Sequence, residues 1–144
     1  MPPSRGAGGP VAFRFGLVLV PLIFFESALG VFSAGAGAQR GSGLFNLHVA
    51  LGLLILLLAA GAFLLGWRRD TPVARASSGL VLVATVAVAI VASTSLSVGI
   101  ASAGLMERSL ALVALLGAAG MIVAGYPSRR GIPDLPSPGR ASAP

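Results

Sequence analysis

The sequence has no cysteine and no lysine, a single histidine and few charged residues. The absence of cysteine excludes disulfides, thiol nucleophiles and cysteine-ligated zinc or iron–sulfur centres. Charged residues make up 10% of the chain, against about 25% in an ordinary soluble domain. A soluble fold of this length built from these residues would have too few polar side chains to cover its surface. Hydrophobic residues make up 56% of the chain, which favours the lipid bilayer as its environment.

The net charge of +6 comes entirely from arginine outweighing the acidic residues. The arginines lie outside the apolar runs or at their edges, and aromatic residues are not interleaved with them. This pattern is typical of topology signals at a membrane surface rather than of a nucleic-acid interface. We therefore expect contact with lipid and no nucleic-acid partner.

Four apolar segments follow one another, each about 18–25 residues long, enough to cross about 30 Å of hydrocarbon. The third is rich in β-branched residues, but an open strand in lipid would leave its backbone unpaired, so a helix is expected. Residues 1–10 and 127–144 are rich in glycine or proline and are predicted to be disordered. The predicted fold is all-α, an up-down bundle of four transmembrane helices within residues 11–126, at residues 11–34, 44–67, 78–103 and 109–126.

The arginines also predict an orientation. Eight fall on the side of the two termini and the middle loop, and two, Arg40 and Arg108, fall on the other side. By the positive-inside rule, the termini are cytoplasmic, and we expect the plasma membrane of a prokaryote. One alternative is a cleavable signal peptide ending at Ala36-Gly37-Ala38, which would leave three helices. Glu26 and the length of the first segment argue against it.

Ionisable groups within the segments are rare and therefore indicate function, because each costs on the order of 2.5–3.5 kcal/mol at a helix centre. Glu26 is predicted to lie roughly 10 Å from the outer end of the first helix, and His48 roughly 6 Å from the same side. Asn46 is beside His48, and Thr94 and Ser97 belong to a polar cluster in the outer half of the third helix. If the first three helices pack together, these side chains meet at one depth.

Three interpretations of this cluster are open. In the first, the cluster is a hydrogen-bonded network that keeps the helices in register. Alternatively, His48 is an axial haem ligand, and Gly52, one turn further on, leaves room for the porphyrin edge. In the third, Glu26 and His48 form a site that handles a quinone or protons.

The first hairpin also resembles a known family. The run from Glu26 to Gly37, followed after a short loop by Leu44-Phe-Asn-Leu-His-Val-Ala-Leu-Gly, resembles a hairpin of the heme A synthase family and related four-helix b-type membrane cytochromes. The resemblance covers residues 21–66. It implies that His48 is an axial ligand of haem b on the outer side of the membrane.

The sequence departs from that family at two points. The family's second ligating histidine is absent, and Leu110 stands at the corresponding position. A haem would therefore be five-coordinate, ligated by a partner chain or shared across a homodimer. Asn46 stands near the place of the family's active-site acid, which argues against catalysis of that kind. Residues 28–35 also resemble residues 96–104. The similarity is explained either by duplication of a helical hairpin or by chance in a low-complexity sequence.

No pattern for catalytic residues is recognisable, and we do not expect a stand-alone enzyme. We predict a small subunit of a respiratory or other electron-transfer membrane complex that carries haem b through His48. The alternative is a non-redox binding, scaffold or transport module in which Glu26 and His48 form a structural or proton-handling pair. In either case the expected partners are other membrane subunits or a second copy of the chain.

Overall fold

The computed structural model describes residues 11–35, 42–98 and 103–126, and these form four helices with one short connection between the second and third. Each helix contains a stretch long and apolar enough to cross a membrane. The prediction of an all-α fold with four membrane-spanning helices is confirmed, and the chain is a multi-pass membrane protein. The segments predicted to be disordered lie outside the described residues. The helices are α1 (Val11–Gly35), α2 (Gly43–Gly66), α3 (Pro72–Val98) and α4 (Ala103–Gly125).

The helices are arranged in a square in which each packs against two antiparallel neighbours. Helix α1 lies between α2 and α4, and α3 lies between the same two on the opposite side. The start of α1, the connection from α2 to α3 and the end of α4 therefore share one end of the bundle, which we call the inner face. The opposite end is the outer face. The arginine pattern predicts that the inner face is cytoplasmic.

Small side chains fill the centre of the bundle. Seven of the twelve buried hydrophobic residues are alanine, which allows helices to approach closely in lipid, where shape complementarity and dispersion replace the hydrophobic effect. Large apolar side chains face outward instead, and Val123 is 78% exposed. This distribution is the reverse of a soluble bundle and suits a surface covered by lipid tails.

Two glycines bring α1 and α4 into backbone contact. A Cβ atom on Gly16 would lie 2.8 Å from Ile122 Cγ1 and 3.0 Å from the Ala118 carbonyl oxygen. A Cβ atom on Gly125 would lie 2.7 Å from the Phe13 backbone nitrogen. No side chain fits at either position, so glycine determines the separation of these helices.

Helix α3 begins earlier than the sequence pattern predicted, at Pro72 rather than residue 78. Proline disrupts a helix interior, but it is well suited to the first position of a helix, where its missing N–H has no intrahelical partner to lose. Thr71 caps this end, because its Oγ1 accepts a hydrogen bond from the Ala74 backbone N–H at 3.3 Å.

Helix α4 also begins earlier, at Ala103 rather than residue 109. The predicted bounds left residues 104–108 as a turn between the third and fourth helices. In the structure they form the first turns of the helix. Glu107 is therefore part of α4 and not of a loop.

Asp70 joins the connection after α2 to the beginning of α1. Its carboxylate Oδ2 accepts a hydrogen bond from the Ala12 backbone N–H at 2.9 Å, and the residue is 6% exposed. The carboxylate thus satisfies one of the free N–H groups of the first turn and lies at the positive end of the helix dipole. Gly66 lies directly beneath it, where any side chain would collide with the carboxylate.

An aromatic cluster lies beside Asp70 at the inner face. The Phe63 and Trp67 rings meet edge to face with centroids 5.1 Å apart, and the Arg75 guanidinium lies 5.2 Å from the centre of the Trp67 ring. Arg75 also donates a hydrogen bond to the Asp70 carbonyl oxygen at 3.4 Å. The end of α2 and the first turn of α3 are held together in this way.

Candidate functional site

Glu26 and His48 occupy the outer ends of two inward-facing stripes. Glu26 follows Leu19 and Ile23 on the buried side of α1, and on α2 His48 is separated by seven and eleven residues from buried Ile55 and Ala59. Such spacings place residues on one side of a helix. Each polar side chain therefore continues the face that its helix packs against the bundle.

The depth of the two residues is nearly the same. Glu26 is six residues from the outer end of the α1 membrane span at Phe32, and His48 is five residues from the start of the α2 span at Gly43. At about 1.5 Å per residue, both lie roughly 8–9 Å inside the outer ends of their spans. The antiparallel packing of α1 and α2 then places one opposite the other.

The two side chains are in contact. His48 Nδ1 lies 3.2 Å from Glu26 Oε1, with the side chains 29% and 15% exposed respectively. Nδ1 is buried, and the contact does not have the alignment of a hydrogen bond. At this distance the charges interact strongly whenever both groups are ionised, because the surrounding medium has a low dielectric constant.

Two glycines make space for the pair. Gly30, one turn after Glu26, lies under the imidazole, and a Cβ atom there would be 3.1 Å from His48 Cε1. Gly52, one turn after His48, lies opposite the carboxylate, and a Cβ atom there would be 3.9 Å from Glu26 Oε1. In the structure, then, Gly52 lines the space beside Glu26.

A third ionisable residue, which the sequence analysis did not include, belongs to the same region. Glu107 is seven and eleven residues before the buried Ala114 and Ala118, so it lies on the inward face of α4. It lies three residues inside the outer end of the α4 span, at the same end of the bundle as Glu26. The buried alanines of α4 recur on one face of the helix, and continuing their spacing toward the outer end of α4 leads to Glu107.

Of the other residues of the predicted cluster, two are exposed on their helices. Asn46 is exposed on α2. Thr94 is exposed at the end of α3, and its hydroxyl donates to the Ile90 and Val91 carbonyl oxygens of its own helix. Ser97 belongs to α3, but its side chain is outside the described residues.

The described part of the chain contains no group of three or more histidine, cysteine, aspartate or glutamate side chains that could hold a metal ion. A haem iron would therefore depend on His48 as its protein ligand from this chain. The carboxylate at Nδ1 suits that role, because metal-ligating histidines commonly direct one ring nitrogen to a carboxylate and the other to the metal. The contact between the ring and Gly30 shows that α1 occupies one side of the imidazole.

Comparison of the chain with models of known protein families, with curated protein sequences and with solved structures finds no match. The chemistry of the site is therefore inferred from its own geometry.

Proposed function

We propose that this protein is a non-redox subunit of a larger membrane assembly and that the Glu26–His48 pair binds and releases a proton. The observation that carries the proposal is the 3.2 Å contact between Nδ1 and Oε1 in the outer half of the membrane-spanning region. Histidine is the side chain whose charge changes most readily near neutral pH. A carboxylate in contact with it makes its protonation state sensitive to one neighbour.

Gain or loss of one proton changes the net charge of the pair, whereas transfer of a proton within the pair does not. An imidazolium beside a carboxylate and a neutral imidazole beside a carboxylic acid have the same net charge, so moving a proton between Nδ1 and Oε1 does not change the total. Adding or removing one proton leaves a single net charge in the membrane, which is costly. Such a change is expected to alter how α1 and α2 pack.

The short connection between α2 and α3 supports a role within an assembly. It comprises residues 67–71, which is too short to form a soluble catalytic domain. We propose other membrane subunits or a second copy of the chain as partners, and the plasma membrane of a prokaryote as the location. Purification of the tagged protein from native membranes, followed by identification of the proteins that co-purify with it, tests whether it has partner subunits.

The single histidine of the chain gives a direct test of the pair. Histidine-selective ¹⁵N labelling yields ring signals from His48 alone, which can be followed from acid to alkaline pH in detergent micelles. We expect the midpoint of this titration to change in Glu26→Gln, because the carboxylate is replaced by a neutral amide of similar shape. Asn46→Ala, an exposed change on the same helix, is the matched control and should leave the midpoint unchanged.

Two results contradict the proposal. The first is a His48 signal that does not change with pH in the folded protein. The second is a titration that Glu26→Gln and Asn46→Ala affect equally. Circular dichroism of each variant shows whether the helices are retained.

A second candidate function is a haem b subunit of an electron-transfer complex, and a specific observation favours it. The His48 Nδ1 side is directed to Glu26, an arrangement that fixes ring orientation in metal-ligating histidines. The resemblance of residues 21–66 to the heme A synthase family points to the same role. When bound, a haem would supply one-electron chemistry, and His48 would hold its iron while Glu26 oriented the ring.

Absorption spectra of the purified protein, oxidised and dithionite-reduced, distinguish the two candidates. A reduced α-band that is present in the wild type and absent in His48→Ala establishes haem binding and overturns the non-redox proposal. A colourless protein from haem-supplemented cells, with the His48 titration described above, supports proton binding. Asn46→Ala is again the control, and it should match the wild type in either case.

A further inference from the structure

The bundle is polar at its outer end and apolar below it. Among the described residues, the buried polar side chains are Asp70 and Ser78, and both lie near the inner face. Between them and the Glu26–His48 pair, the fully buried side chains are apolar and come from all four helices, and the half-buried Thr85 hydroxyl donates to carbonyl oxygens of its own helix. The buried apolar residues are Leu19, Ile23, Ile55, Ala59, Val81, Ala84, Ala114, Ala118 and Met121.

The apolar region is thick. Fifteen residues of α1 separate Glu26 from the inner end of that helix at Val11, which corresponds to about 22 Å at 1.5 Å per residue. A proton crossing this distance would need polar groups or water, and a charge in such surroundings is strongly disfavoured. The distance from Glu26 to the outer end of its span is less than half as long.

Glu107 lies nearer to the outer end of the bundle than the Glu26–His48 pair does. It is three residues from the start of the α4 span at Gly104, whereas Glu26 is six residues from the end of the α1 span. Helices α1 and α4 are antiparallel neighbours, with Gly16 against Ile122 near their inner ends. Glu26 and Glu107 therefore both lie toward the outer end, and Glu107 is nearer to the outer water.

We infer that the Glu26–His48 pair exchanges protons with the outer face only, from the end of the bundle at which Glu107 supplies a negative charge, so that the bundle senses the outer pH and does not conduct protons. The inference rests on the proposed proton-binding function and adds the side from which the proton comes. The proton is taken from outer water, binds at Nδ1 or Oε1, and returns to the same water. Negative charge at this end raises the local concentration of protons and other cations.

Among the described residues, few charged groups lie toward the outer end of the bundle. Helix α1 contributes Glu26, α2 contributes His48 and α4 contributes Glu107, with Arg108 exposed beside it. The charged residue of α3 is Arg75, at the inner face. Glu26, His48 and Glu107 are the members of this group that lie on inward-facing sides of their helices.

Site-directed labelling tests the access route, and the cysteine-free chain makes it straightforward. His48→Cys is exposed to a membrane-impermeant cationic thiosulfonate in right-side-out and inside-out vesicles. We expect modification from the outer side and protection from the inner side. Arg108→Cys and Arg69→Cys, both exposed positions, serve as controls that react from the outer and inner side respectively.

Modification of His48→Cys from the inner side overturns the inference, and so does its protection from both sides while the controls react. The contribution of Glu107 is measured by adding Glu107→Gln, which should slow the cationic reagent several-fold. An anionic reagent should be slowed less or accelerated. Arg108→Gln, the adjacent charge on the exposed side of α4, should have the opposite and smaller effect.

A second measurement leaves His48 in place, in case the cysteine variant does not fold. The ¹⁵N signal of His48 is recorded in sealed proteoliposomes, sorted for orientation by labelling Arg69→Cys, while the pH on each side is changed separately with impermeant buffers. We expect a response to the outer pH alone. A response to the inner pH refutes the one-sided access but leaves the proton-binding proposal intact, whereas no response to either side refutes the proton-binding proposal.

Discussion

The hydrogen bond from the Ala12 backbone N–H to Asp70 Oδ2 leads to a quantitative prediction for Asp70→Ala. Removing a helix-capping acceptor costs about 0.5–2 kcal/mol, and removing a negative charge from the start of a helix costs about 0.3–1 kcal/mol more. Asp70 Oδ1 is buried without a hydrogen-bond partner, so removing the carboxylate also relieves a desolvation penalty. We expect a net loss of about 1–2 kcal/mol in the free energy of unfolding.

Asp70→Asn separates the two contributions. The amide oxygen still accepts the Ala12 hydrogen bond, because asparagine caps helices about as well as aspartate, while the charge is lost. We expect this variant to lose about 0.5 kcal/mol. Arg69→Ala changes the exposed residue next to Asp70 and serves as the control, with a stability close to that of the wild type.

Reversible unfolding in mixed micelles of a mild detergent and dodecyl sulfate, followed by circular dichroism, measures these differences. Hydrogen exchange at the Ala12 amide gives a local measurement, and we expect it to accelerate in Asp70→Ala and much less in Asp70→Asn. If both variants are as stable as the wild type and the Ala12 amide is unaffected, the carboxylate does not cap α1 and the argument is wrong.

Three further predictions concern individual contacts. Gly125→Val should reduce the free energy of unfolding by about 1–3 kcal/mol, the usual cost of overpacking, because the Cβ atom of the valine would overlap the Phe13 backbone. Thermal unfolding measures the loss. Gly30→Ala should shift the ¹⁵N signals of His48 with little loss of helix, because the new methyl group would lie 3.1 Å from the imidazole; unchanged signals would show that the ring does not lie against α1. Thr71→Ala should cost about 0.5–2 kcal/mol through loss of the cap on α3, detectable as faster amide exchange in the first turn of that helix.

The sequence predicted the helices well because length and apolar composition determine them directly. It was less informative about where α3 begins, because a proline that disrupts a helix interior is favourable at the first position of a helix. The same composition that identifies a membrane helix also hides its inward face, because lipid-facing and buried positions are both apolar. Side-chain size separates them only in part, since alanine is common among the buried residues but Leu19 and Met121 are buried too.

The candidate site was predictable only where a residue is unusual for its surroundings. Glu26 and His48 could be found from sequence because each is an ionisable group within an apolar run, and the antiparallel hairpin brings their depths together. Glu107 was overlooked because it was assigned to a turn, where a charged residue has no special meaning. Thr94 was expected in the cluster from its depth alone, and its place there stays a prediction.

The contacts of α1 have a consequence for how the protein is made. The helix is joined to later residues near both ends, by Glu26 with His48 near the outer end and by Ala12 with Asp70 at the inner end. All of these residues precede α3. A nascent chain that has emerged as far as Asp70 therefore already contains every partner needed to complete the α1–α2 hairpin, and this hairpin can be inserted and paired as a unit before α3 and α4 are synthesised.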